Sequence, residues 1–187
     1  MLIDAIKRHA SPSQDGRLSI VELGGANSCF LDSILADIRP RSYDVVDNNQ
    51  YGLSLLAKRI GKSEVVRLHQ QSVLALSLST QADLVFSVGL VEHFDPSSTR
   101  QAVLAHFDVL RPGGLTIISF PTPTFFYRIA RKCMELLGMW RFHDERPLHP
   151  SEVITTIQEQ GDVVYQKMLW PVILTQCMVI AKKRVVK

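Results

Sequence analysis

Short apolar runs alternate with helix-like segments over residues 18–120, and this alternation restricts the fold more than any other feature. Five runs have the length and β-branched content of buried strands: residues 18–23, 42–47, 64–68, 82–89 and 115–120. The segments between them, including residues 29–36, 51–60 and 97–110, show the apolar spacing of helices. This alternation of strands and helices indicates βαβ units with parallel strands. The sequence therefore predicts an α/β fold with helices on both faces of the sheet.

The last third of the chain departs from this alternation. Residues 151–160 have the pattern of a helix, and two strand-like runs follow closely, at residues 163–169 and 174–182. Strands this close in sequence pair most simply as an antiparallel hairpin, which would complete a mostly parallel, seven-stranded sheet. We expect one domain over residues 1–187, made of a helix and turn (1–17), a core (18–120), an insertion or lid (121–150) and a closing helix and hairpin (151–187).

Charge and cysteine content exclude several classes of protein. The 187 residues carry a formal net charge of +3, which is too small to imply a nucleic-acid partner by itself, so none is expected. The basic clusters at residues 128–132 and 182–187 are interpreted as a solvated helix face and a solubilising tail, with an anionic partner as the alternative. Three scattered cysteines show no disulfide or zinc spacing, so we predict no metal site and a reducing compartment. No run approaches the roughly 18 apolar residues of a membrane span, and residues 1–10 lack a signal-peptide core. We therefore expect a cytoplasmic protein.

Ligands of open α/β sheets bind beyond the carboxyl ends of the strands, so the residues at those ends are the candidate site. The first strand ends in a glycine turn, Gly24-Gly25, followed by a helix whose N-terminal N–H groups are available. The second strand ends at Asp47, an acid placed either to accept ribose hydroxyls or to cap the next helix. The dinucleotide fingerprint Gly-x-Gly-x-x-Gly fails at Ala26 and Cys29, which disfavours a nicotinamide oxidoreductase.

Five motifs then follow one another in a family order. They are Glu22-x-Gly24-x-Ala26, Asp47, Asp83-Leu84-Val85-Phe86-Ser87, Glu92-His93-Phe94 and Leu110-Arg111-Pro112-Gly113-Gly114. Over about residues 18–119 they resemble the class I S-adenosylmethionine-dependent methyltransferases, particularly the small-molecule group. The resemblance implies a Rossmann-like, doubly wound sheet and methyl transfer from S-adenosylmethionine to a small-molecule or glycan acceptor, most simply at oxygen. The run at residues 22–30 is also similar to methyltransferases of bacterial polysaccharide and O-antigen biosynthesis.

The resemblance also implies roles for individual residues in the cofactor-binding core. The implied cofactor-binding residues are Glu22, Gly24, Gly25, Ala26 and Asn27 for the methionine half, Asp47 for the ribose, Asn48 beside the adenine, Ser72 and Val73 after the third strand, and Val88 and Gly89 after the fourth. Alanine and serine stand at positions 26 and 28, where glycines are usual, and Ser72 stands where an acid is usual. We expect binding to be retained because alanine is the smallest replacement. A non-catalytic cofactor-binding or accessory protein is the alternative.

The acceptor side is expected in residues 121–150, which follow the fifth strand. Tyr127, Arg128, Arg141 and His143 are the candidate ligands of an acceptor, which would then be anionic. Residues 125–137 also have an amphipathic pattern, which fits a helix packed over the sheet or a segment on a membrane surface that meets a lipid-linked acceptor. His93 is the candidate base for an alcohol acceptor. Alternatively, Glu92 and His93 cap a helix or brace the cofactor loop.

Overall fold

Seven strands form one mixed sheet in the computed structural model, which describes residues 1–13, 15–139, 145–169 and 175–185. The strands are β1 (Ser19–Leu23), β2 (Ser42–Asp47), β3 (Val66–Gln70), β4 (Ala82–Val88), β5 (Leu110–Pro121), β6 (Gly161–Leu169) and β7 (Gln176–Lys183). Their order across the sheet is β3-β2-β1-β4-β5-β7-β6. Strands β1 to β5 are parallel, and β7 pairs antiparallel with both β5 and β6. The predicted α/β fold and its closing antiparallel hairpin are confirmed.

Helices cover both faces of this sheet. The helices are α1 (Leu2–His9), α2 (Leu31–Asp37), α3 (Gln50–Ile60), α4 (Pro96–Asp108), α5 (Phe125–Leu136) and α6 (Pro150–Ile157). The first three pack on one face and α4 and α6 on the other, each over its own buried cluster. No helix among the described residues has the length and apolar character needed to cross a bilayer.

The strands are buried on both faces because their alternate side chains enter different clusters. In β1, Ile20 joins the cluster under α1, α2 and α3, while Val21 and Leu23 join the cluster under α4 and α6. All five residues of β1 are buried, as expected for a central parallel strand. Each such aliphatic side chain contributes about 1.5–3 kcal/mol to folding. This burial holds the ends of the strands, and therefore the site, in fixed positions.

The predicted start of β5 is wrong. Residues 111–114 were expected to form a turn before a strand that begins at residue 115, but they lie inside β5. The pairing with β4 advances from Ala82↔Leu110 to Leu84↔Leu115, so β5 carries extra residues in a bulge. The bulge brings Arg111 Nε to 2.7 Å from Asp83 Oδ1, and Asp83 also accepts the backbone N–H of Ser19 at 2.9 Å. These contacts join β4, β5 and β1 at the edge opposite the site.

Candidate active site

A cleft of about 280 Å³ opens at the carboxyl ends of β1, β2 and β3. Its lining comes from the turn after β1, the ends of β2 and β3 and the segment after β4: Gly24, Val46, Asp47, Asn48, Gln71, Ser72, Val73, Leu90, His93 and Phe94. Six residues that the sequence predicted are therefore brought together, namely Gly24, Asp47, Asn48, Ser72, Val73 and His93. The edge of the sheet is the one expected for a ligand of an open α/β fold.

The turn after β1 depends on glycine at position 24. Gly24 has a φ of +77°, which disfavours any residue with a side chain. A Cβ at this position would also lie 2.9 Å from Cδ1 of Leu90. The Gly24 N–H donates a 2.8 Å hydrogen bond to the carbonyl of Val46, so the turn is joined to β2. Because residue 24 has no side chain, its backbone lies open to the cleft.

Asp47 connects the same turn to the start of α3. Its Oδ2 accepts the Ala26 N–H at 2.9 Å, and its Oδ1 accepts the Asn49 N–H at 2.8 Å. The N-cap of α3 is Asn49, whose side chain accepts the Gly52 N–H at 3.0 Å. Asp47 is therefore not the helix cap, which was the alternative considered from the sequence. Each of its oxygens keeps further acceptor capacity beside the cleft.

Ala26 and Ser28 occupy positions where this structure does not require glycine. Neither residue has a positive φ. Ala26 fits against α3 because residue 52 is glycine, where a Cβ would lie 2.7 Å from Ala26 Cβ. Ser28 Oγ accepts the Leu31 N–H at 3.1 Å and so satisfies a donor at the start of α2. The two departures from the family pattern thus have local structural reasons.

Ser72 likewise has a local structural role as well as a position in the cleft. Its Oγ accepts the Leu74 N–H at 3.2 Å and caps a short 3-10 helix, Val73–Ala75. This cap fixes the loop after β3, whose Gln71 N–H donates to the Asp47 carbonyl at 3.0 Å. The loop after β3, which lines the cleft, is therefore ordered by its own hydrogen bonds.

Glu22 lies under the glycine turn rather than among the residues that line the cleft. The Tyr43 hydroxyl donates a 2.5 Å hydrogen bond to Glu22 Oε2. Burial raises the pKa of Glu22, and burial together with the neighbouring Glu22 raises the pKa of Tyr43. Atoms of the Glu22 side chain lie where a Cβ on Gly25 would be placed, at 2.7 Å. Glu22 thus supports the turn from below, and Asn27 is exposed within it.

A second cavity, of about 230 Å³, lies on the other side of the end of β4. It is lined mainly by apolar side chains from α1, the start of α2 and the adjacent strand ends: Met1, Leu2, Ile3, Phe30, Ser33, Val88, Ser119, Leu169, Gln176 and Met178. Val88 lines this cavity, whereas Leu90 lines the cleft. Gly89 lies between Val88 and Leu90 in the sequence and so joins the linings of the two spaces.

The predicted acceptor ligands do not line either of these two spaces in the part of the chain that is described. Tyr127 is buried, with 2% of its surface exposed, and its hydroxyl donates to Glu145 Oε1 at 2.7 Å. Burial, reinforced by this hydrogen bond, raises the pKa of Tyr127. Arg128 is exposed on α5. Arg141 and His143 lie outside the described residues.

Several residues of the two spaces were not predicted from the sequence. Gln71, Leu90 and Phe94 each lie within a few residues of a strand end, and that position is the signal that could have identified them. The residues of the second cavity come from six separate elements (α1, α2, β4, β5, β6 and β7) and are mostly apolar. Their sequence pattern is that of ordinary core residues, so it carried no such signal. Within the described ranges, no cluster of His, Cys, Asp or Glu could hold a metal ion.

Comparison with known families decides the class of protein. Residues 20–114 match the model of the family described as a methyltransferase domain. The chain belongs to this methyltransferase family. The predicted class I fold, the enzyme class and S-adenosylmethionine as the methyl donor are thereby confirmed at the level of the family. A comparison with curated proteins returns no significant match.

Solved structures with the same fold extend over nearly the whole of this methyltransferase. The N-methyltransferase NodS from Bradyrhizobium japonicum, in complex with S-adenosylhomocysteine, aligns with a TM-score of 0.72 and 15% identity, over 97% of this chain and 85% of that one. The magnesium protoporphyrin IX methyltransferase from Synechocystis, also with bound S-adenosylhomocysteine, gives 0.72 and 10%, over 97% and 80%. The 1,6-didemethyltoxoflavin-N1-methyltransferase from Burkholderia thailandensis gives 0.68 and 17%, over 90% and 72%. At these identities the likeness shows the fold.

Proposed function

We propose that this methyltransferase binds S-adenosylmethionine in the cleft and transfers its methyl group to an oxygen of a small, largely apolar acceptor in the second cavity. The observation that carries the proposal is the arrangement of the two spaces around the end of β4. Val88 lines the apolar cavity and Leu90 lines the more polar cleft, only two residues further along the chain. A donor and an acceptor on either side of this short segment would meet over Gly89, where a Cβ would have only Glu92 Oε1 within 4 Å, at 3.5 Å, so no side chain stands between them. We infer that residues 1–187 act as one domain in this reaction.

The residues of the cleft fit the adenosine part of the cofactor. Asp47 has acceptor capacity left on both carboxylate oxygens, as the two hydroxyls of a ribose require. Asn48, Ser72 and Val73 line the adjoining wall and would contact the adenine. The turn at Gly24 would hold the methionine half, with Gly25, Ala26 and Asn27 contributing backbone and Glu22 supporting them from below. Gly89 would lie beside the methyl group.

The composition of the second cavity indicates the class of acceptor. No ionisable side chain lines it among the described residues, and the N-terminal ammonium of Met1 is already paired with Asp4 at 2.9 Å, so a free anion would lose its hydration without gaining a free partner. Ser33, Ser119 and Gln176 are the groups that could orient a hydroxyl, and the rest of the lining is predominantly apolar. A small apolar molecule with one hydroxyl fits this lining better than a bare sugar or a carboxylate does. A link to polysaccharide biosynthesis stays a prediction from the sequence.

The chain contributes orientation and exclusion of water to the reaction. S-adenosylmethionine, when bound, supplies a methyl group activated by the sulfonium centre. The acceptor oxygen would form a bond to the methyl carbon, in line, as the carbon–sulfur bond breaks, S-adenosylhomocysteine would be the leaving group, and the hydroxyl proton would pass to solvent water at the open side of the second cavity. The fixed walls of the two spaces would hold the reactants in this alignment and keep water away from the methyl group. His93 lines the cleft and is absent from the lining of the second cavity. This position favours a role in bracing the cofactor over a role as the base.

Isothermal titration with S-adenosylhomocysteine tests the cofactor half of the proposal. We expect saturable binding that Asp47→Ala weakens tenfold or more, because two charge-assisted hydrogen bonds to the ribose are lost. Asp108→Ala is the matched control, since Asp108 is exposed at the end of α4 that lies farthest from the cleft. Absence of binding at millimolar ligand would refute the proposal.

Transfer of a labelled methyl group to a panel of small molecules tests the acceptor half. Small phenols and apolar alcohols are expected to be methylated, and free sugars and carboxylates are not. Ser119→Leu would narrow the second cavity and should strongly reduce transfer while S-adenosylhomocysteine still binds. Intact cofactor binding with no transfer to any compound would instead support the non-catalytic alternative.

A further inference from the structure

Helix α5 turns an apolar face outward, which is the reverse of the usual arrangement. Five large apolar side chains on α5 and just after it are strongly exposed: Phe125 (72%), Ile129 (48%), Leu136 (80%), Leu137 (71%) and Met139 (61%). Ile129 and Leu136 are seven residues apart, which places them on the same side of a helix. A contiguous exposed patch of this kind marks an interaction surface more often than isolated apolar residues do.

The inward face of α5 is held by polar contacts. Tyr127 donates its hydroxyl to Glu145, and Arg131 Nη1 donates to the Glu145 carbonyl at 2.9 Å. At the start of the helix, Thr124 Oγ1 accepts the Tyr127 N–H at 3.3 Å and lies 2.8 Å from Thr175 Oγ1. These contacts fix which side faces the protein, so the exposure of the apolar side chains follows from the fold.

Positive charge borders the outward face. Arg128 and Lys132 are both exposed and are four residues apart, on the flank of the face that carries Ile129 and Leu136. The nearest acid on the helix, Glu135, accepts a 2.7 Å hydrogen bond from Arg131 Nε. The border of the patch is thus cationic, and it complements an anionic surface.

We propose that α5 is a docking surface for an anionic lipid bilayer, with the outward side chains inserted at the headgroup boundary and with Arg128 and Lys132 on the headgroups. Apolar insertion beside basic residues is the pattern of helices that lie in the plane of a membrane interface. A second copy of the chain fits less well, because a two-fold contact brings the same patch against itself and opposes like charges. The one acid of α5, Glu135, is already paired with Arg131.

The position of α5 gives this docking a consequence for the site. The helix begins at Phe125, four residues after β5 ends at Pro121, at the same edge of the sheet as the two spaces. Docking through α5 would therefore bring that edge to the bilayer surface, where an acceptor that partitions into lipid is concentrated. The docking itself requires neither cofactor nor acceptor, so it can be tested independently of the proposed function.

Sedimentation with vesicles tests the docking. We expect the full chain to sediment with vesicles of equal phosphatidylcholine and phosphatidylglycerol and to remain in solution with pure phosphatidylcholine. The double substitution Arg128→Gln with Lys132→Gln should weaken binding about tenfold or more, since each basic residue near an anionic surface contributes appreciably. Ile129→Ser with Leu136→Ser should weaken it by a similar factor. Lys58→Gln with Lys62→Gln, and Leu55→Ser with Val164→Ser, are matched controls on other exposed elements and should bind as the wild type does.

Three outcomes would overturn the docking. The first is a wild-type chain that does not sediment with anionic vesicles, and the second is binding that the α5 variants leave unchanged. The third is self-association in sedimentation velocity that Ile129→Ser with Leu136→Ser abolishes, without vesicle binding, which would assign the face to a second copy. Cooperative thermal unfolding, followed by circular dichroism without any ligand, shows whether each variant is folded. The charge variant changes only exposed side chains, so it still tests the docking if the apolar variant does not fold.

Discussion

The backbone N–H of Ala26 donates a 2.9 Å hydrogen bond to Oδ2 of Asp47. One carboxylate thus holds the turn after β1 against the end of β2, and it also faces the cleft. In the proposed function the same group binds the ribose. Loss of the carboxylate should therefore affect cofactor binding both directly and through the turn.

Asp47→Asn should retain part of the cofactor affinity that Asp47→Ala loses. The asparagine carbonyl oxygen can still accept one hydrogen bond, while the charge and the second acceptor are lost. We expect Asp47→Asn to bind S-adenosylhomocysteine several-fold more weakly than the wild type and more tightly than Asp47→Ala. Calorimetric titration of the three chains provides the comparison, and equal affinities in all three would exclude Asp47 from the site.

Gly52→Ala should destabilise the chain even though alanine favours helices. The new Cβ would lie 2.7 Å from Ala26 Cβ and 3.2 Å from the Ala26 carbonyl oxygen. Overpacking of this kind costs about 1–3 kcal/mol, against a gain of about 1 kcal/mol in helix propensity. Urea unfolding should show a net loss of about 1 kcal/mol, and Ala26→Gly in the same chain should restore part of it. A Gly52→Ala variant more stable than the wild type would contradict the close approach.

His93→Gln separates the two roles considered for His93. If His93 braces the cofactor, KM for S-adenosylmethionine should rise several-fold with little change in kcat. If it is the general base, kcat should fall by a factor of about 10² or more. The position of His93 in the cleft leads us to expect the first result, which steady-state kinetics with an identified acceptor would measure.

Stability should fall as the pH drops below about 6.5, because His106 is fully buried. Its Nδ1 lies 2.8 Å from the Ala102 carbonyl, its Nε2 lies 2.8 Å from Ser87 Oγ, and burial lowers its pKa from 6.5 to about 4. The unfolded chain therefore binds more protons than the folded chain between these pH values. About 3 kcal/mol of unfolding free energy should be lost between pH 7 and pH 4. Urea unfolding at several pH values would measure this loss, which His106→Leu with Ser87→Ala should largely remove.

Asp83→Asn should be among the most destabilising single changes. Burial opposes ionisation of Asp83, but hydrogen bonds from the Ser19 backbone N–H and the Arg111 guanidinium outweigh it and lower the pKa of this carboxyl. Its stabilising effect is therefore complete above about pH 4, the ordinary range of an aspartate, and is lost as the pH falls through the lowered pKa. At neutral pH, removal of the buried charge opposite Arg111 should cost about 3 kcal/mol in thermal or urea unfolding. A variant as stable as the wild type would show that the ion pair contributes nothing.

The sheet was predictable because its signals are local. The strand at residues 42–47 is found as predicted, since apolar residues bounded by polar ones define a buried strand without reference to the rest of the chain. The positions of Gly24 and Asp47 beside the cleft were predictable because Gly24 directly follows β1 and Asp47 is the last residue of β2. The bulge in β5 was not predictable, because Pro112, Gly113 and Gly114 indicate a turn. Only the pairing with β4 makes these residues part of a strand.

The acceptor side was predicted poorly because its determinants are tertiary. The pattern in residues 125–137 correctly indicated a helix, yet the periodicity alone does not state which face meets the protein. Tyr127 suggested a ligand, but its hydroxyl is already bonded to Glu145, eighteen residues further along the chain. The second cavity depends on α1 folding back over the ends of β4 and β5, a contact that the sequence does not encode locally.

The alternation of Val88 and Leu90 across the end of β4 has a consequence for the evolution of such enzymes. A change of side-chain size at position 88 reshapes one space, and a change at position 90 reshapes the other. In the proposed function, a substitution at position 88 would therefore alter the preference for the acceptor while the donor cleft keeps its lining. A gene copy of this chain would then need changes on only one side of β4 to serve a different metabolite.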